Sequence, residues 1–309
     1  EKNGVRLAYL SAVVNALIIG FSFLFVKIAL GYADPVDLLA HRFAFGFAAF
    51  AVAAAFGRMR FRFRGKPVVK VFWLAALYPL GFFLLQTYGL QYATSSEGGI
   101  LLAFVPVLTM VMGIVFLKEK ASFLQQLSIA LSVVGVVVIF TMRGSGFDWG
   151  NMAGIVLLFL SCLFFAGYSV LARSLMKTFR PMEITFLTLG IGFIAFLTLS
   201  LVRHAAAGTL NQLLAPLAEG EFLTSMLFLG VMSSLVTALT ANYALSKLEA
   251  SRAGVFSNLS PVVSMAAGAL VLGEQIGPFH IVGAVLIVAG VWGANYFGAK
   301  ARKALASSA

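Results

Sequence analysis

Charge is scarce in this chain. Only 11% of its 309 residues are Asp, Glu, Lys or Arg, and 61% are hydrophobic. A soluble domain carries about 25% charged residues, so a soluble globular fold is excluded. Cysteine is nearly absent: Cys162 stands alone inside an apolar run, which rules out a disulfide framework and a cysteine metal site. The three histidines, His41, His204 and His280, lie far apart in sequence and offer no metal-ligand spacing. All eleven acids sit at the ends of apolar runs or between them. A carboxylate buried at mid-membrane is costly and marks function, and none is visible, so no acidic proton relay is expected. Paired catalytic carboxylates and a nucleophile beside a base are missing too. The sequence therefore predicts no enzyme, no cofactor and no metal.

Long apolar runs are what the chain has in abundance. Ten of them, near 7–30, 36–56, 70–92, 97–117, 123–142, 150–173, 182–202, 221–246, 253–273 and 278–298, are long enough to cross a bilayer. The expected fold is an all-α polytopic membrane protein. The first run is too long for a cleavable leader and is followed by further spans. The chain also repeats itself. Glu97–Lys120 falls on Arg252–Gln275 under a shift of 155 residues, which places Gly99 on Gly254, Pro106 on Pro261, Gly113 on Gly268 and Glu119 on Glu274. A shift of 146 relates the earlier parts, placing Lys27 on Arg173 and Pro35 on Pro181. Two five-helix units follow, 1–146 and 147–309. Five is odd, so the second unit enters the membrane inverted, an arrangement characteristic of transporters.

Basic residues set the orientation. With the N-terminus in the cytoplasm, eighteen Lys and Arg fall inside and four outside, the four being Lys27, Arg42, Arg143 and Arg203. This satisfies the positive-inside rule. The net charge of +11 thus reports topology rather than a nucleic-acid surface. The run Arg58–Lys70 also suits anionic lipid.

Candidate binding residues are polar or aromatic groups at mid-span. Pro106 and Pro261 lack the N–H that would meet the carbonyls of Leu102 and Ser257. Such carbonyls are tolerated in a membrane only beside protein or a wet cavity. Asn15 and Ser22 share a face of the first span. Tyr78, Phe82 and Gln86 form an i, i+4, i+8 stripe on the third, which Pro79 and Gly81 loosen. Ser161, Phe164 and Tyr168 cluster on the sixth, Ser233, Ser234 and Thr237 on the eighth, and Ser257, Asn258 and Ser260 on the ninth. Each residue also has a plain packing or interhelical reading. Lys27, His41 and Arg42 are expected toward the outer face, as interface anchors or as a gate or contact for a substrate carboxylate. The fifth and tenth spans, with Ser128, Ser132, Gly135, Gly283, Gly290 and Gly293, read as packing or dimer helices.

These residues resemble a known family. The run Gly20–Gly46, with Lys27, Pro35, Arg42 and Phe43, and the segments ending LKEK and LGEQ resemble the EamA-type ten-span members of the drug/metabolite transporter superfamily. The resemblance covers both repeats. It departs at Thr188 and Leu189, which stand in the second repeat where the first has Arg42 and Phe43. It implies transport of small metabolites across the bacterial inner membrane through a path lined by spans one, three, four, six, eight and nine. The amino-acid exporter branch, including exporters of aromatic amino acids, is the nearest likeness. The expected partners are a small-molecule substrate and the lipid bilayer, with the protein a monomer or weak homodimer and both termini cytoplasmic. The alternatives are a membrane-embedded enzyme acting on lipid-linked substrates and a non-transporting scaffold. A reporter fused after Ala309 is expected to read cytoplasmic; a periplasmic signal overturns the orientation.

Overall fold

The computed structural model describes residues 2–57, 61–117, 122–141, 149–175, 178–237, 240 and 259–307, and every statement below concerns those residues. They are helical with short connections. In order they form α1 (Lys2–Ala29), α2 (Pro35–Phe56), α3 (Val68–Ala75), a π turn (Ala76–Gly81), α4 (Phe82–Tyr92), α5 (Ser95–Leu102), α6 (Val105–Leu117), α7 (Phe123–Thr141), α8 (Trp149–Leu175) and α9 (Pro181–Ala207). Two 3-10 turns lead to α10 (Gly220–Leu227), a π segment (Phe228–Val236), α11 (Leu259–Leu272) and α12 (Pro278–Ser307). Seven of these stretches are long and apolar enough to cross a membrane. The α10–π stretch with its preceding 3-10 turns, bent by 88°, is an eighth if the bent pair is counted as one span. Phe123–Ile139 and Leu259–Leu272 are apolar but shorter. The chain is a multi-pass membrane protein.

Local chemistry sets the helix boundaries. The Asp34 carboxylate accepts from Val36 N–H at 2.9 Å and Pro35 supplies the fixed φ of the first turn, so α2 starts there. Thr94 and Glu97 exchange side-chain and backbone bonds as a capping box for α5. The Glu183 carboxylate takes Arg180 N–H at 2.9 Å at the start of α9 and also binds Arg62 N–H and Lys66 Nζ, tying the α2–α3 loop to that end. At the other end of α9, Gly208 takes φ +69°, a conformation that costs glycine little.

Three spans break. Tyr78 lies at φ −144°, ψ 119° between α3 and α4, ahead of Pro79. The fourth span divides at Ala103–Phe104, one turn before Pro106, where Ala103 N–H reaches back to Gly99 and Ile100. The span after α10 widens into the π segment. The first two breaks answer to prolines; no sequence signal marked the third.

The packing crosses the chain's midpoint. α7 packs on α12, α4 on α8, α2 on α9, α1 and α5 on α11, and α2 on the π segment. Each pair joins an element before residue 142 to one after residue 148. The α7–α12 contact is a small-residue crossing. A Cβ at Gly135 would stand 2.8 Å from Gly283 O, and one at Gly290 would stand 2.7 Å from Ser132 N. Ser132 Oγ donates across the seam to Ile287 O at 3.1 Å. These are the packing helices anticipated from the glycine pattern. Gly290→Val is expected to lower the thermal unfolding temperature in detergent, since overpacking costs about 1–3 kcal/mol. An unchanged midpoint would refute the close crossing.

Candidate functional site

The elements that cross the midpoint enclose a cavity of about 500 Å³. Its wall takes in Asn15, Ile19 and Ser22 of α1, Arg42 and Phe43 of α2, and Tyr78 and Pro79 of the third-span break. Phe82, Phe83 and Gln86 of α4, the α5–α6 junction, Phe165 and Tyr168 of α8, and Thr185 and Thr188 of α9 continue it. Ser233, Ser234 and Thr237 at the π segment and Ser260 of α11 complete it. The interruptions of the third, fourth and eighth spans all open onto this one space.

Arg42 is its electrostatic centre. It is 3% exposed and is the single charged side chain that the described residues place on the wall. Its guanidinium stacks 4.2 Å from the centroid of Phe83, and Nη2 donates to Ser233 Oγ at 3.2 Å. Nε and Nη1 have no partner. A buried guanidinium with unpaired N–H groups is costly, and an anion in the cavity would satisfy it. The sequence offered Arg42 as an interface anchor or as a gate or carboxylate contact; it lies on the cavity wall, held by Phe83 and Ser233, a position that suits the second role.

The rest of the wall is aromatic, aliphatic, hydroxylic or amide. Tyr78, Phe82, Phe165 and Tyr168 form one cluster, with centroids 4.9 Å apart for Tyr78–Tyr168 and 5.2 Å for Phe82–Phe165. The hydroxyl protons of Ser22, Thr188, Thr237 and Ser260 are donated to backbone carbonyls of Ile19, Ile184, Ser233 and Ala16. Their oxygens are left with lone pairs, so these groups can accept. Asn15 Nδ2 is held by Thr237 O and Thr240 Oγ1, at 2.9 and 3.2 Å. The Leu102 carbonyl lies four residues before Pro106 and meets no helical N–H from it.

The structure brings together Asn15, Ser22, Arg42, Tyr78, Phe82, Gln86, Leu102, Pro106, Tyr168, Ser234 and Thr237. It separates others. Phe164 packs against Gly81 while its neighbour Phe165 faces the cavity beside the expected Tyr168. Pro261 is buried against Gly99, and Ser260 takes the wall position. Ser257 and Asn258 lie outside the described residues. His41 Nδ1–H donates to Asp37 O at 2.7 Å, and the ring packs edge-on to Phe222 away from the cavity. Spans two and seven join the wall, contrary to expectation. The polar pair Thr185 and Thr188, three apart in an apolar run, was the available signal for the seventh.

Lys27 is also not on the wall. Its Nζ donates to Leu90 O at 2.7 Å and Ala93 O at 2.9 Å, so a cation closes the C-terminal end of α4. Next to it, Glu274 accepts the N–H groups of Ser95 and Ser96, 2.7 and 3.1 Å away, at the start of α5. Ser264 Oγ donates to Ser95 O at 2.6 Å, and His280 stands 3.7 Å from Glu97. Charged and hydroxyl groups thus seal one end of the bundle by pairing with helix ends. A second group nearby joins Asp37 to Ser200 and His204, and Asp34 to Arg203. Lys27→Met is expected to destabilise the fold, since hydrogen bonds from a charged group contribute about 1.5–3 kcal/mol. Ligand affinity of the folded fraction should not change; a selective loss of affinity in this variant would restore a substrate-contact role.

The comparisons with known proteins agree with this architecture. The model of the EamA-like transporter family matches the chain twice, over residues 6–141 and 152–296. An uncharacterised transporter of Bacillus subtilis, YcxC, is 43% identical over 93% of this chain and 92% of its own. A probable amino-acid metabolite efflux pump of Salmonella typhimurium is 24% identical over 94% of this chain and 95% of its own. A chain solved by crystallography superposes with a TM-score of 0.62 over 93% of this chain and 96% of its own; at 19% identity it speaks for the fold alone. With both halves matched and a relative at 43% identity, this chain belongs to the EamA-like transporter family.

Proposed function

We propose that this transporter exports amino acids, aromatic ones among them, across the bacterial inner membrane by alternating access at the central cavity. The observation that carries the proposal is the unpaired Arg42 guanidinium in an aromatic cavity built from both halves of the chain. The carboxylate sits on Arg42. The side chain lies against Tyr78, Phe82, Phe165 and Tyr168. The ammonium meets hydroxyl oxygens, Gln86 and the Leu102 carbonyl. The efflux pump of Salmonella typhimurium, alike over nearly its whole length, supports the amino-acid reading.

Ten spans in two inverted repeats complete the proposal, with units 1–146 and 147–309 and both termini cytoplasmic. The double match of the family model supports two units. The packing supports their symmetry. Exchanging the two units turns the α1–α11 contact into the α8 contact with the fourth span, which occurs as α6–α8 and α5–α8. It turns the α4–α8 contact into that of the eighth span with α1, which also occurs. α7–α12, α2–α9 and α5–α11 map onto themselves. In this orientation the Lys27 and Glu274 end is extracellular, so breaking and remaking its contacts is the outer gating step. No acid lines the cavity among the described residues, so transport proceeds without a carboxylate proton carrier there.

Reconstituted protein should exchange members of an amino-acid panel across liposomes, and failure on the whole panel refutes the proposal. Gln86, buried on the wall, offers an amide to the substrate. Gln86→Ala is expected to weaken transport by about 0.5–1.5 kcal/mol of binding, roughly two- to tenfold, with little change in thermal stability. Unchanged transport kinetics would remove Gln86 from the site.

A further inference from the structure

Charge balance in the cavity says more about the substrate than its shape does. Resting on the reading of the cavity as the transport site, we infer that it selects for a carboxylate and does not require the ammonium: its preferred ligands are aromatic monocarboxylates, with or without an α-amino group. The described wall holds one cation, Arg42, and no anion. Arg42 is buried, and two of its nitrogens lack partners. Phe83 covers one face of the guanidinium and Ser233 takes one edge, while Nε and Nη1 stay buried and unpaired in a side chain that lines the cavity.

A zwitterion entering such a site leaves its net charge at +1. A monocarboxylate brings it to zero, and the gain is largest where water is excluded and the effective dielectric constant is low. A phosphate dianion would overshoot a single guanidinium. An amine would place a second cation beside Arg42 and repel it. The hydroxyl oxygens of Ser22, Thr188 and Thr237 can accept from an ammonium, because their own protons are committed to the backbone. They offer dipoles and not charge, so they tolerate the ammonium without demanding it. The ring cluster of Tyr78, Phe82, Phe165 and Tyr168 takes an aryl group whatever the charge at the other end.

The test uses a series that keeps the ring and changes only the charge: phenylalanine, 3-phenylpropanoate and 2-phenylethylamine. Binding is read as thermal stabilisation of the purified wild-type chain and as competition in proteoliposome exchange. We expect 3-phenylpropanoate to compete at least as well as phenylalanine, and the amine to be at least about tenfold weaker. Arg42→Gln should abolish the difference between acid and amine, and Arg42→Lys should preserve it. Phenylalanine binding without 3-phenylpropanoate binding overturns the inference and leaves the transport reading standing. So does an amine that competes equally, or an acid preference that survives in Arg42→Gln. If Arg42→Gln does not fold, the wild-type series decides. If no member binds while another amino acid is exchanged, the inference fails alone; if nothing in the panel is exchanged either, both fall.

Discussion

The hydrocarbon interior offers no water to an unpaired backbone group, and this constraint organises the structure. A helix satisfies its own interior; its ends and breaks need help. Several of the described charges sit at those ends. Lys27 closes α4, Glu274 caps α5 from across the bundle, Glu97 caps its own helix and Glu183 opens α9. The breaks follow a different rule. The extended Tyr78, the Ala103–Phe104 division and the π segment all lie against one cavity. Among the described residues, the breaks in the spans and a set of polar side chains are therefore gathered at one cavity.

The same constraint explains what could be read from the sequence. Proline leaves a direct mark because it deletes a specific donor, so the loosened third span and the missing N–H opposite the Leu102 carbonyl were legible. The Tyr78, Phe82, Gln86 stripe was legible because one face recurs every four residues. That α7 and α12 are packing or dimer helices was legible from glycine and serine; that they pack on each other was not. Helical phase without such a marker was not: Phe164 and Phe165 are indistinguishable until the position of Gly81 is known. Nor could sequence separate Lys27, His41 and Arg42. All three are basic or imidazole groups near an outer boundary, and their roles depend on which helix end or ring they face. Asp37 and Glu97 sit at run boundaries in sequence yet are buried, because partners from distant segments cover them. Ser257 and Asn258 fall outside the described residues.

The interleaved packing has a mechanical consequence. Neither half packs chiefly on itself: α1, α2, α4, α5 and α7 each find a principal partner beyond residue 148. The cavity is therefore a gap within an interface, and its wall contains residues from both sides of that interface. The seal at one end is made of discrete contacts, such as Glu274 with Ser95 and Ser96 and Ser264 with Ser95. Contacts of that kind can be exchanged as units, whereas the glycine-lined α7–α12 seam is close-packed along its length. Motion would then be concentrated around the cavity, with α7 and α12 moving least against each other.

Arg42 and the rings are one device rather than two features. A lone guanidinium in this setting is costly to desolvate, and Phe83 offsets part of that cost by presenting its negative face 4.2 Å away. Phe83 in turn is held edge-on by Phe43 at 5.3 Å and by Phe82 at 4.9 Å. Phe82 belongs to the Tyr78, Phe165 and Tyr168 cluster. The surface that would receive an aromatic substrate is thus continuous with the surface that positions the cation. In the proposed binding mode a ligand ring in that cluster would set its acidic end toward Arg42, because the rest of the described wall carries no other charged side chain.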